Sequence, residues 1–143
     1  IGDGPSRMSV INPSGTGDER MTALNLGSIL VGSSQVEPMK DWYRACFSPE
    51  ENEMGAFVFG NVQLFVEDHS EVSGPNVDQH RIILNLDVTD CRTLESHLKE
   101  QNVAWEREVE QMEFGLIGTV ADPDGNLVQI IEWGATPDEG HDG

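Results

Sequence analysis

The chain has 143 residues, 37% of them hydrophobic, enough for one domain with a core of its own and no need of disulfides or a structural metal. Its 26 Asp and Glu against 8 Lys and Arg give a formal charge of −18, a field that repels phosphate backbones and anionic lipid and argues against a nucleic-acid partner. No apolar run approaches the roughly 20 residues that span a bilayer, and no basic-then-apolar leader is seen, so a soluble, cytoplasmic protein without a membrane partner is expected.

Residues 1–22 hold four Gly and two Pro without apolar periodicity and read as a flexible N-terminal tail. From Leu24 to Val31 the residues are apolar or small, suited to a buried strand. Ser34-Gln35-Val36-Glu37 has the form of a capping box, Pro38 fits a first helical turn, and Met39, Trp42, Tyr43 and Cys46 recur at helical spacing up to Phe47. Pro49 and the acidic run after it end that helix. Two strands are expected at about 55–59 and 61–67, joined at Gly60-Asn61. Residues 69–79, polar around Gly74-Pro75, read as a linker.

Beyond the linker the pattern returns. His80 to Val88 alternates, with Ile82, Leu84, Leu86 and Val88 on one face and Ile83, Asn85 and Asp87 on the other. A second helix starts at Thr89 or Asp90, carries Cys91, Leu94 and Leu98 on one stripe and ends near Asn102. Three strands follow, near 103–109, 114–120 and 127–133, with the Asp122-Pro123-Asp124-Gly125 turn leading into the last and a tail at 135–143. Cys46 and Cys91 stand alone, each inside an amphipathic helix, and are read as reduced, packed thiols.

Strand, helix, then two or three strands, twice over, with modules at 24–68 and 80–134 inside one domain at 23–134, is an internal repeat. Together with DPDGNLVQIIEW at 122–133, Asp41-Trp42-Tyr43 in the first helix and Val88-Thr89-Asp90 before the second, it resembles the vicinal oxygen chelate superfamily, which includes glyoxalases, extradiol dioxygenases and bleomycin resistance proteins. The resemblance implies an α+β fold of two tandem βαβββ modules forming an incompletely closed, eight-stranded, barrel-like sheet around a cavity, with helices outside. Homodimers are common in that group, and a homodimer is expected here on that ground.

In metal-dependent members of the superfamily the middle of the last strand supplies a Glu ligand, three residues after the Asn of the turn, and here that position holds Gln129. Counting back in the same way, the first-strand ligand falls on Ser28, that of the fifth strand on Ile83, and that of the fourth on Gln63, or Leu64 with a slip of one. These residues offer no carboxylate and no imidazole, so no cofactor and no stable divalent metal site are expected. A displaced set, His80 with Glu67 and Glu132, is the fallback, and it requires a bulge to turn His80 inward. His69, His97 and His141 read as solvent-facing.

If alternation holds, the cavity is lined by Ser28, Leu30, Gln63, Phe65, Ile83, Asn85, Asp87, Gln129 and Ile131, an apolar surface with several hydrogen-bonding groups that suits a sizeable organic molecule. Trp42, Trp105 and Trp133 offer stacking surface or core. Two functions follow. One is a metal-free binder, similar to the bleomycin resistance branch, that sequesters a cationic or aromatic compound. The other is a superfamily enzyme: a metal-dependent lyase, isomerase or dioxygenase with displaced ligands, or a metal-free one using Glu67 or Asp87 as catalytic acid or base.

Overall fold

Alternation along the strands decides which face of each sheet meets a helix. A computed structural model describes residues 23–137; the tail at 1–22, the end at 138–143 and His141 lie outside the described residues. The first module runs β1 (Ser28–Ser33), α1 (Val36–Phe47), β2 (Glu50–Glu51), β3 (Phe57–Phe59) and β4 (Val62–Asp68). The second runs β5 (Ile83–Asp87), α2 (Cys91–Glu100), β6 (Ala104–Met112), β7 (Gly115–Ala121) and β8 (Leu127–Trp133). Each module is one four-stranded sheet, ordered β1-β4-β3-β2 and β5-β8-β7-β6. In both, the first and last strands of the module pair in parallel and the other neighbours antiparallel. This is an α+β fold of two βαβββ modules whose sheets do not close into a barrel.

The helices cover one face of each sheet. Met39, Tyr43 and Cys46 recur on one side of α1, as Cys91 and Leu98 do on α2, and they meet Leu64 and Val66 of β4 and Val128 and Ile130 of β8 in a single core. Each such side chain, removed from water, contributes about 1.5–3 kcal/mol. The modules therefore join through their helix-covered sides. Tyr43 donates to Asp122 at 2.7 Å, Gln35 Nε2 donates to Asp124 at 2.7 Å, and the His97 ring meets the Ala45 carbonyl at 2.7 Å. His97 thus bridges the two helices instead of facing solvent, because α2 lies beside the end of α1.

The turn at 122–125 anchors this junction. Gly125 N–H donates to the Asp122 carbonyl at 2.8 Å, and Gly125 has φ +84°, a conformation that side-chain-bearing residues rarely adopt. Asp122 Oδ1 accepts from the backbone of Asp124 and Asn126, and Oδ2 accepts from Tyr43 and Asn126 Nδ2. Burial raises its pKa against the lowering effect of those donors, and burial beside Asp122 pushes the Tyr43 phenol far above its ordinary range.

Several local expectations change. The first strand starts at Ser28, four residues later than the apolar run, since Leu24 and Leu26 are exposed. The capping box does not form: the N-cap is Gln35, whose side chain makes no capping bond but reaches the 122–125 turn, while the Ser33 hydroxyl accepts from Gln35 N–H at 2.9 Å. In the acidic run, Glu50 and Glu51 pair with β3 as a short edge strand, held by Arg44 on Glu51 at 2.8 Å. At α2 the cap is as expected, Asp90 accepting from Thr93 N–H at 3.1 Å. Both cysteines are free and buried. Among the described residues no helix is long and apolar enough to cross a membrane.

Candidate functional site

The other face of each sheet, turned away from the helices, is the open face, although the centre of it on the second sheet is buried, Leu127, Thr119, Ile131 and Ile117 each being 6% exposed or less. On the first sheet it carries Ser28 and Leu30 of β1 opposite Gln63 and Phe65 of β4, with Glu67 one pair further along. Leu64 lies on the helix side and is buried, which settles the fourth-strand register on Gln63. Gln63 Oε1 accepts from Asn52 Nδ2 at 2.6 Å. On the second sheet the open face is an ordered grid. Ile83, Leu127, Ala121 and Ala104 are paired across the four strands; next come Asn85, Gln129, Thr119 and Arg107; next Asp87, Ile131, Ile117 and Glu110; and last Trp133, Gly115 and Met112. A polar row thus runs the width of the sheet between two rows with apolar centres. Within it Gln129 Nε2 donates to Thr119 Oγ1 at 3.2 Å.

The nine candidate cavity residues all fall on these open faces, four on the first sheet and five on the second. Neither of the two grooves described among residues 23–137 gathers all nine. A groove of ≈390 Å³ between β5 and the first sheet takes in Ile83 and Asn85 but is otherwise lined mainly by helix-side residues such as Ile29, Leu64, Leu84 and Val128. The cause is the junction described above, which turns the helix sides of the two sheets toward each other. Leu30 and Trp133 on the open faces remain 54% and 59% exposed.

The strand pairings of the two modules differ in one respect. Ser28 pairs with Gln63 in the first sheet, and in the second the residue opposite Gln129 is Asn85, with Ile83 opposite Leu127. The positions expected for metal ligands hold Ser28, Gln63, Ile83 and Gln129, with Asn85 across from Gln129. A hydroxyl, an alkyl side chain and neutral carboxamides do not fit a divalent transition metal, which wants imidazole, thiolate or carboxylate donors. The fallback set does not assemble either. Glu132 lies on the helix side, where Oε1 accepts from Cys91 N–H at 2.8 Å; His80 precedes β5 and meets Glu106 at 3.0 Å; and Glu67 is exposed on β4. Among the described residues no three His, Cys, Asp or Glu side chains come together as a metal cage.

Glu67 and Asp87, the candidate acid–base groups, are both exposed, and Asp87 accepts from Trp133 Nε1 at 2.9 Å. The tryptophans divide. Trp133 stands on the open face with its ring centroid 5.2 Å from that of Phe114, while Trp42 packs edge-on to Tyr43 and Phe47. Trp105 packs on the helix side over Gly118, so close that a Cβ there would lie 2.8 Å from Val109 Cγ2 and 3.3 Å from the Trp105 ring.

Arg107, Thr119, Glu110 and Met112 escaped the sequence reading. Strict alternation over 103–109 puts Arg107 on the same side as Trp105 and Val109, whereas the pairing of β6 slips on both sides of Arg107 and brings it opposite Thr119. One signal was legible: Arg107 is the only basic residue of the last three strands, in a chain of net charge −18.

No family model matches the sequence, and no curated protein matches it. Solved structures do. The chain is similar to a glyoxalase/bleomycin resistance protein/dioxygenase family enzyme from Burkholderia phytofirmans PsJN, at 16% identity and a TM-score of 0.63 over 77% of this chain and 99% of that one. It is also similar to TnmS3, an antibiotic binding protein from Streptomyces sp. CB03234, at 18% identity and 0.61 over 79% and 98%. A third likeness is to lactoylglutathione lyase from Agrobacterium tumefaciens, at 15% and 0.58 over 77% and 94%. The fold is that of the glyoxalase/bleomycin resistance/dioxygenase proteins. One scaffold carries a lyase and a binder, so chemistry has to be argued from this chain's own side chains.

Proposed function

We propose that the protein is a metal-free binder of a small aromatic molecule, held on the open face of the second sheet and sequestered there, as TnmS3 is named for binding an antibiotic. The observation that carries this reading is the chemistry of the two cross-strand pairs, Ser28 with Gln63 and Asn85 with Gln129, which hold no carboxylate, thiolate or imidazole, with Gln129 bonded to Thr119. Amides flanked by Ile117, Ile131 and Leu127 give what a binding site for an organic ligand needs, apolar area with a few fixed polar contacts. Glu67 and Asp87 stand exposed, and Asp87 accepts from Trp133 Nε1.

The exposed Leu30 and Trp133 on faces that the chain does not bring together favour a homodimer, in which a second copy lays its first sheet over the second sheet of this one and encloses the ligand. Buried free thiols suit the reducing cytoplasm.

The test is a titration of EDTA-treated protein with naphthalene-2-methanol, followed through the side-chain amide resonances of Asn85 and Gln129, with light scattering for the oligomeric state. Shifts at these amides, unaltered by added Zn²⁺ or Ni²⁺, are the expected result. Stoichiometric metal retention, or a complex that forms only with metal, refutes the reading.

A further inference from the structure

Of the eight strands only β6 holds a basic residue, Arg107. It is placed by two irregularities. The β6–β7 register slips between Trp105 and Arg107 and again between Arg107 and Glu110, so Trp105 and Val109 pack over Gly118 on the helix side while Arg107 stands opposite Thr119 on the open face. Bulges of this kind interrupt the ladder locally and re-aim a side chain. Here they bring a guanidinium to the end of the row Asn85, Gln129, Thr119, Arg107, which at the ordinary strand spacing is about 14 Å long.

The guanidinium is oriented but not used up. Glu110 Oε2 accepts from Nε at 2.8 Å, and the Met112 sulfur lies 3.5 Å from Nη2. Nη1 has no hydrogen-bond partner among the described residues, and the side chain is 35% exposed. A guanidinium carries five donors in a planar fork, and its best partner is a carboxylate gripped by two parallel bonds. Next to Arg107 the paired Ile117 and Ile131 form an apolar row, 6% and 5% exposed, with Trp133 two residues beyond Ile131.

We propose that the ligand of this face is a planar aromatic acid, its carboxylate held by Arg107, its ring on Ile117 and Ile131, and its other polar substituents met by Gln129 and Asn85. This rests on the reading of the face as a small-molecule site and reverses the sign of charge that composition suggests. The reversal is physical. At physiological salt the field of the distant carboxylates is screened within about 8 Å, whereas a bidentate contact acts at hydrogen-bond range. Glu110 competes for the same cation and also fixes the plane in which it is presented.

Three probes that share one ring separate the possibilities: 2-naphthoate, naphthalene-2-methanol and (2-naphthyl)methylammonium, each titrated calorimetrically into wild type, Arg107→Gln and Glu110→Gln at constant salt, with thermal melts confirming folded variants. Expected is tightest binding of the carboxylate, a loss of about tenfold or more for it in R107Q, a change within about twofold for the alcohol, and unchanged or tighter carboxylate binding in E110Q. Preference for the ammonium probe, or equal loss of carboxylate and alcohol in R107Q, overturns the assignment of an acid while the small-molecule site stands. Binding of none of the three to wild type overturns both.

Discussion

Removing the Tyr43 hydroxyl tests the junction that turns the two helix-covered faces together. In Tyr43→Phe the ring keeps its place in the core, where Tyr43 is 1% exposed, and only the 2.7 Å bond to Asp122 is lost. A hydrogen bond to a charged group is worth about 1.5–3 kcal/mol. Asp122 retains three other donors, from Asp124 N–H, Asn126 N–H and Asn126 Nδ2, so the lower end applies, about 1.5–2 kcal/mol. For a domain of this size that lowers Tm by about 5–10 °C. The effect depends on pH with a defined sign. The folded pKa of Asp122 is raised by burial, so the stability linked to this group is fully present below its unfolded pKa and is lost as pH rises through the folded value. Tyr43 opposes that shift, and its removal raises the folded pKa further; the variant loses more above the folded pKa, where the carboxylate is ionised, than below it. Urea unfolding at several pH values measures both quantities. A cost below about 0.5 kcal/mol above the folded pKa, or a cost that grows toward acid, refutes the charge-assisted bond and with it this account of the junction.

Two further outcomes follow from packing and burial. Gly118→Ala places a methyl 2.8 Å from Val109 Cγ2 and against Trp105, and overpacking of this kind costs about 1–3 kcal/mol; adding Val109→Ala returns part of it, and strictly additive losses in chemical denaturation contradict the contact. The Cys46 and Cys91 thiols are each pushed up to about 11 by burial, so a thiol reagent at pH 8 reacts slowly with native protein and fully after unfolding; fast labelling of native protein rules out the packed-thiol assignment.

Periodicity alone was enough for the two modules, since period-2 and period-3.6 patterns report which side of a strand or helix is apolar, and the turn at 122–125 carries its geometry in Pro and Gly. The same alternation put Gln63, Asn85 and Gln129 on one face of their strands, and the expectation of no metal came from the side chains at Ser28, Gln63, Ile83 and Gln129. Boundaries were weaker where a competing partner lay far away in sequence. Gln35 bonds to the 122–125 turn and displaces the capping box, and His97 meets α1 from 52 residues away.

Registers between strands are set by pairing, which no single strand encodes. Only the structure therefore shows that Asn85, not Ile83, stands opposite Gln129, and that β6 slips twice to turn Arg107 onto the open face. The packing of one module on the other is likewise tertiary. Tyr43 and His97 are ordinary helix-face residues and Gln35 an ordinary N-cap until the partner element arrives, and it is their contacts that leave the polar row of the second sheet facing away from the core.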